Sequence, residues 1–149
     1  MFPPTTIPQR AGFTIQAEIK PDTLKDQAIF AQCGPKYLTG IQLRLQEGKF
    51  VIDYKNRRPH ENSGPAVLTD THKTGLAPIP GEWNKIQLSY NGRQLRLSVN
   101  GKREVFEQTG HAQWLSGFSF GGTVPGKSPK LQCFSGLLKS LEIFHYPQN

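Results

Sequence analysis

Residues 121–128 read Gly-Gly-Thr-Val-Pro-Gly-Lys-Ser, the spacing at which a glycine-rich turn, a lysine and a hydroxyl cradle nucleotide phosphates. That chemistry needs a helix directly behind the Lys-Ser pair, whose amides and dipole hold the phosphate, together with parallel strands. The short remainder of the chain opens with Pro129, contains Gly136 and alternates toward its end like a strand. The stretch is therefore expected to be a surface loop, with Lys127 and Lys130 supplying positive charge and no nucleotide bound.

Other catalytic patterns are missing. Glu104 and Glu107 are the nearest carboxylate pair, but a spacing of three on a strand turns them to opposite faces, so both read as solvent charges. No Gly-x-Ser-x-Gly or His-Glu-x-x-His spacing occurs, and His60, His72, His111 and His145 are dispersed. The two cysteines, Cys33 and Cys133, could form a disulfide or remain two buried free thiols, because sequence separation does not fix their distance.

These side chains must be positioned by strands. Phe13, Ile15, Ala17 and Ile19 alternate with polar residues, Ile41, Leu43 and Leu45 do the same, and Phe50, Ile52 and Tyr54 follow a Glu47-Gly48-Lys49 turn. Residues 86–99 carry the clearest signal: two alternating runs separated by Asn91-Gly92 and closed by Asn100-Gly101. These are tight antiparallel reversals, since Asn and Gly accept positive φ. Residues 56–65, Asn-Arg-Arg-Pro-His-Glu-Asn-Ser-Gly-Pro, read as a long polar loop. About ten short strands separated by turn residues predict an all-β fold, an antiparallel sandwich of two stacked sheets.

The chain of 149 residues is long enough for one core, and its net charge of +7 favours anionic partners. Its basic residues are scattered rather than clustered, so nucleic acid is not expected as a partner. No apolar run is long enough to insert into a membrane. Residues 1–11 read as a linker or lead-in to a domain at 12–147, a module of a longer chain.

Residues 81–105, GEWNKIQLSYNGRQLRLSVNGKREV, together with the opening FTIQAEIKP and the closing FSGLLKSLEIF, resemble laminin-G-like jelly rolls of the concanavalin A-like lectin/glucanase superfamily. The resemblance implies a jelly-roll sandwich acting as a noncatalytic module that binds glycans or proteins, secreted, periplasmic or on a cell surface. Glucanases of that superfamily carry closely spaced carboxylates such as Glu-x-Asp-x-x-Glu on one strand, and this chain has none. Lys139-Ser140 replaces the acidic residue common in the closing strand, and the loops hold few carboxylates, so neither calcium nor another cofactor is expected.

A glycan site combines aromatic faces with Arg, Lys and amide donors. The residues singled out for that role are Tyr37, Arg57, Arg58, His60, His111, Trp114 and Lys127, all in predicted loops. Arg57 and Arg58 fit ligand contact or a solvated surface equally, and Trp114 fits loop packing as well as a stacking platform. Trp83 is assigned to the core, and Arg44 and Arg96 line a concave sheet or face water. The favoured partner is an anionic polysaccharide, sulfated or uronate-containing. The alternatives are a protein-interaction or spacer domain serving other domains of a parent protein, and, third, a glycan-cleaving enzyme.

Overall fold

Alternation builds the first strand, β1 (Phe13–Pro21): Phe13, Ile15, Ala17 and Ile19 are buried while Gln16, Glu18 and Lys20 between them are half exposed. The computed structural model describes residues 12–33, 40–60, 64–109, 118–120 and 133–144, giving the backbone alone at 32–33, 57–60, 64–68 and 118–119. Along it follow β2 (Gln27–Cys33), β3 (Gly40–Gln46), β4 (Lys49–His60), β5 (Gly64–Lys73), β6 (Asn84–Tyr90), β7 (Gln94–Val99), β8 (Lys102–Glu107), β9 (Phe118–Phe120) and β10 (Gly136–Phe144). They form two five-stranded sheets, β10-β1-β6-β7-β8 and β5-β4-β3-β2-β9, in which neighbours run antiparallel. The predicted all-β sandwich is the observed one.

The core lies between the sheets. Ile15, Ile19, Leu88, Leu95 and Leu97 of the first sheet face Phe30, Leu43, Leu45, Phe50 and Ile52 of the second, all fully buried. Burying each such side chain contributes about 1.5–3 kcal/mol relative to leaving it in water. The Tyr54 and Tyr90 rings, 5.4 Å apart, and the His72 and Phe106 rings, 5.0 Å apart, join the sheets at one end.

Both Asn-Gly sites reverse the chain, by different means. At Asn100-Gly101 both residues have positive φ, the two-residue turn that matches strand twist. At Asn91-Gly92 only the glycine does. There the Asn91 side chain bends the chain, its Oδ1 accepting from the amides of Arg93 and Gln94 at 2.9 and 2.8 Å.

Two expectations are corrected. Residues 56–65 are not one loop: β4 runs on to His60 and β5 begins at Gly64, with Arg57 opposite Val67, Arg58 opposite Ala66 and Pro59 opposite Pro65. Among the described residues Lys55 is the last of β4 paired to β3, and the β4–β5 pairing continues beyond it to His60 and Gly64. Pro65 lies on β5, the edge strand of this sheet among the described residues, where the amide that proline lacks is not needed for the ladder. Cys133 is an exposed free thiol, so neither the disulfide nor a pair of buried thiols is formed. The glycine-rich stretch 121–128 lies outside the described residues, and the first described element after it is the antiparallel strand β10.

A polar groove on the outer face of the first sheet

The face of the first sheet that points away from the core presents residues in rows set by strand register. One row runs Glu142, Gln16, Gln87, Ser98, Arg103 across β10, β1, β6, β7 and β8; the next places Ser140 beside Glu18 and Lys85. These side chains are outward because their neighbours Ala17, Ile86, Leu88, Leu97 and Val99 are buried inward. Together Gln16, Glu18, Lys85, Gln87, Ser98 and Glu142 line a cavity of about 330 Å³, completed by Ala17, Ile86, Gly101 and Ser140.

Little of this polar equipment is used up internally. Gln16 Nε2 donates to Gln87 Oε1 at 3.3 Å, and the Lys139 ammonium lies 3.8 Å from Glu18 Oε2. Lys85 Nζ and the Arg103 guanidinium make no side-chain hydrogen bond or ion pair among the described residues. The groove thus offers amide and hydroxyl donors and acceptors, two carboxylates and unpaired cations on a rigid sheet.

Trp83 is not in the core. It is 42% exposed at the mouth of β6, two residues before Lys85 and so on the groove's side of the strand. The Lys139 ammonium stands 5.9 Å from the centre of its ring. Asn84, fully buried, takes the inward place beside it. Its Oδ1 accepts from the Ile79 amide and from Asn100 Nδ2, and its Nδ2 donates to the carbonyls of Ile79 and Glu82. That knot fixes the turn from which Trp83 projects.

The second sheet's outer face is different. Asp53 accepts from Arg44 Nε at 2.7 Å, Gln42 Nε2 at 3.1 Å and Thr71 Oγ1 at 2.9 Å, and Arg44 also donates to Gln46 at 2.5 Å. Between the sheets, Asp70 Oδ2 accepts from Asn56 Nδ2 and Gln108 Nε2, and Gln108 Oε1 lies 2.6 Å from His72 Nε2. Burial first, then Tyr90 and Asp70 beside it, pushes the Tyr54 phenol well above its ordinary value of 10. Burial also raises Tyr90, partly offset by its hydrogen bond with Tyr54. Within this interior cluster Asn56, Asp70, His72 and Gln108 direct polar groups at one another.

Of the predicted site residues, Tyr37, His111, Trp114 and Lys127 lie outside the described residues. Arg57, Arg58 and His60 lie on the β4–β5 ribbon rather than a loop, with only their backbone described. The groove residues were not singled out from sequence, although the alternation of Gln16, Glu18, Lys85, Gln87 and Ser98 with apolar neighbours marks their face. Arg44 and Arg96, grouped together by sequence, separate: Arg44 is locked to Asp53, while Arg96 beside Ser89 and Val105 has no polar partner among the described residues. Also among the described residues, no three His, Cys, Asp or Glu side chains converge to hold a metal, and no helix is long and apolar enough to cross a membrane.

A sequence profile described as the concanavalin A-like lectin/glucanases superfamily matches residues 1–149. A heptameric SAP-like pentraxin from Limulus polyphemus superposes with a TM-score of 0.63 at 16% identity, covering 97% of this chain and 68% of its own. Domains LG4-5 of the mouse laminin alpha1 chain give 0.71 at 12% identity, covering 97% of this chain and 40% of theirs. The binding domain of botulinum neurotoxin serotype G gives 0.60 at 13% identity, covering 95% of this chain and 34% of its own. No curated protein sequence matches significantly. At these identities the superpositions establish the jelly-roll fold.

Proposed function

The chain belongs to the concanavalin A-like lectin/glucanases superfamily, and from that membership and the groove's chemistry we propose that it is a noncatalytic glycan-binding module of a secreted or cell-surface protein. The observation that carries this reading is the 330 Å³ cavity on the outer face of the first sheet. Sugars present many hydroxyls, each both donor and acceptor. Gln16, Gln87, Ser98, Glu18 and Glu142 meet them with amides, a hydroxyl and carboxylates on a preformed surface.

An anionic glycan is favoured. Lys20, Lys85, Lys139 and Arg103 surround the groove against two carboxylates, and Glu18 faces Lys139. The net positive charge that remains suits sulfate or uronate groups. Arg57 and Arg58 on the ribbon are a second anion contact under the same reading.

Glu18 and Glu142 act here as hydroxyl acceptors. Hydrolysis would require two carboxyl groups flanking one glycosidic bond, and the closely spaced Glu-x-Asp-x-x-Glu pattern of the superfamily's glucanases does not occur in this sequence. A second reading, a protein-interaction or spacer domain, draws on the exposed Ile79, Leu137 and Leu138 near Trp83.

Affinity electrophoresis through a panel of neutral and acidic polysaccharides separates these readings. Retention that Gln87→Ala with Ser98→Ala abolishes, without a change in Tm, supports the groove. No retention by any polysaccharide favours the protein-interaction reading, and release of reducing sugar that Glu142→Gln stops would make the chain an enzyme.

A further inference from the structure

Trp83 lacks the burial that usually explains a tryptophan. An indole is costly to leave in water, and its exposed face could have packed under a loop. Instead it stands directly ahead of β6 with its ring 5.9 Å from the Lys139 ammonium, at the end of the groove where β1 pairs with the start of β10. Leu137 and Leu138, 56% and 41% exposed, pair with Lys20 and Ile19 at this same end.

What sets the ligand class is Lys139. A register shift in β1 between Glu18 and Ile19 leaves Lys139 outside the regular pairing, between Ser140 opposite Glu18 and Leu138 opposite Ile19. Its ammonium reaches Glu18, a groove residue, at 3.8 Å and the Trp83 ring at 5.9 Å. Both contacts are weak: the Lys139 side chain is 61% exposed, the ion pair is long, and the ring contact sits at the outer limit of cation–π range. A ligand therefore displaces neither at large cost.

We propose that Trp83 and Lys139 form an end subsite of the groove that takes one acidic sugar residue, its apolar ring face on the indole and its carboxylate or sulfate on the ammonium. This rests on the glycan reading and deepens it, because it assigns the anionic group to a particular cation. Glu18, released from Lys139, accepts a ring hydroxyl on the groove side. A neutral sugar keeps the stacking and forgoes the charge contact.

The experiment uses the full chain with polygalacturonate, alginate and chondroitin sulfate, each beside its neutral counterpart, carboxyl-reduced and, for chondroitin sulfate, desulfated as well. In the pair that is retained, Trp83→Ala is expected to weaken binding of both forms roughly tenfold, the effect of losing one aromatic platform. Lys139→Gln is expected to weaken only the acidic form and to flatten its salt dependence. Because both side chains are exposed, Tm should not move in either variant. Ligand addition should also shift the part of the indole fluorescence that Trp83→Phe removes.

Unchanged binding of both forms by Trp83→Ala, while Gln87→Ala weakens them, overturns the subsite and leaves the groove standing. Equal loss of acidic and neutral forms in Lys139→Gln overturns the acidic preference. Failure of the unmodified chain to bind any of the six polysaccharides, with Trp83 fluorescence unmoved, removes the glycan reading and the subsite together.

Discussion

The two outer faces of the sandwich carry similar residue types and use them in opposite ways. On the second sheet, Asp53 collects Arg44, Gln42 and Thr71, so donors and acceptor are spent on one another. On the first, the side chains of Lys85, Arg96 and Arg103 have no polar partner among the described residues, and Gln16 and Gln87 share one long hydrogen bond beside a cavity. An aspartate at the centre of β4 makes a surface that is finished by folding, whereas a row of amides with carboxylates only at one edge leaves a surface that a ligand can finish. Polarity alone does not mark a site; unsatisfied polarity on a rigid support does.

The largest perturbation should come from detaching the strand that forms one wall of the groove. Gly136 opens β10 with φ of 153°, and a Cβ there would lie 2.3 Å from the Lys20 carbonyl oxygen and 2.8 Å from Pro21 Cα. Neither backbone atom can yield without breaking the β1–β10 register. Gly136→Ala is expected to cost about 3 kcal/mol or more and lower Tm by roughly 10 °C in calorimetry, with glycan retention lost as β10 pulls away. Retention surviving that loss of stability would show that β10 is not part of the site.

Asp53→Ala tests the finished face. It leaves the Arg44 guanidinium and the Thr71 hydroxyl without their shared acceptor, so chemical denaturation should show a loss of about 1–3 kcal/mol. Retention on polysaccharide should stay unchanged, because nothing on that face is held for a ligand.

How the faces divide was only partly legible in the sequence. Period-two runs in β1, β3, β6 and β7 and the Asn100-Gly101 reversal announced strands, order and inward residues, since one buried face forces alternation. Which outward residues would meet was not announced, because register and sheet order are set by contacts far apart in sequence: Glu142 lies beside Gln16 through the β1–β10 pairing. Trp83 reads as core because it opens the strand that best matches the family pattern, although its parity with Lys85 and Gln87, opposite to Ile86 and Leu88, signals the outer face. Pro59 and Pro65 suggest a loop, yet they sit opposite each other in the β4–β5 pairing. Binding sites commonly sit on loops, but the described cavity is lined mainly by strands.

The interior cluster around Tyr54 and Tyr90 predicts a pH dependence. Tyr54 and Tyr90 both have pKa values raised in the folded state, chiefly by burial. Below the ordinary tyrosine value of 10 both states are neutral and full stability is present. As pH rises past it, the unfolded chain loses protons that the folded chain keeps, so stability falls, by up to about 1.4 kcal/mol per pH unit for each tyrosine. Denaturant midpoints between pH 9 and 11 should show the decline, and Tyr54→Phe should make it shallower.

The smallest effect in stability is the most informative about the open face. Lys85→Ala with Arg103→Ala removes two cations that fold without partners, so the change in unfolding free energy should stay within about 0.5 kcal/mol. Against an acidic polysaccharide the same double variant should lose affinity by about fivefold for each cation, since exposed charge pairs contribute up to about 1 kcal/mol, and the loss should fade as salt screens the contact. Arg44→Ala reverses the pattern, because that guanidinium already belongs to Asp53: stability falls and affinity holds. If both substitutions weakened binding alike, net charge alone would attract the ligand, and the distinction between a finished and an open face would have no functional meaning.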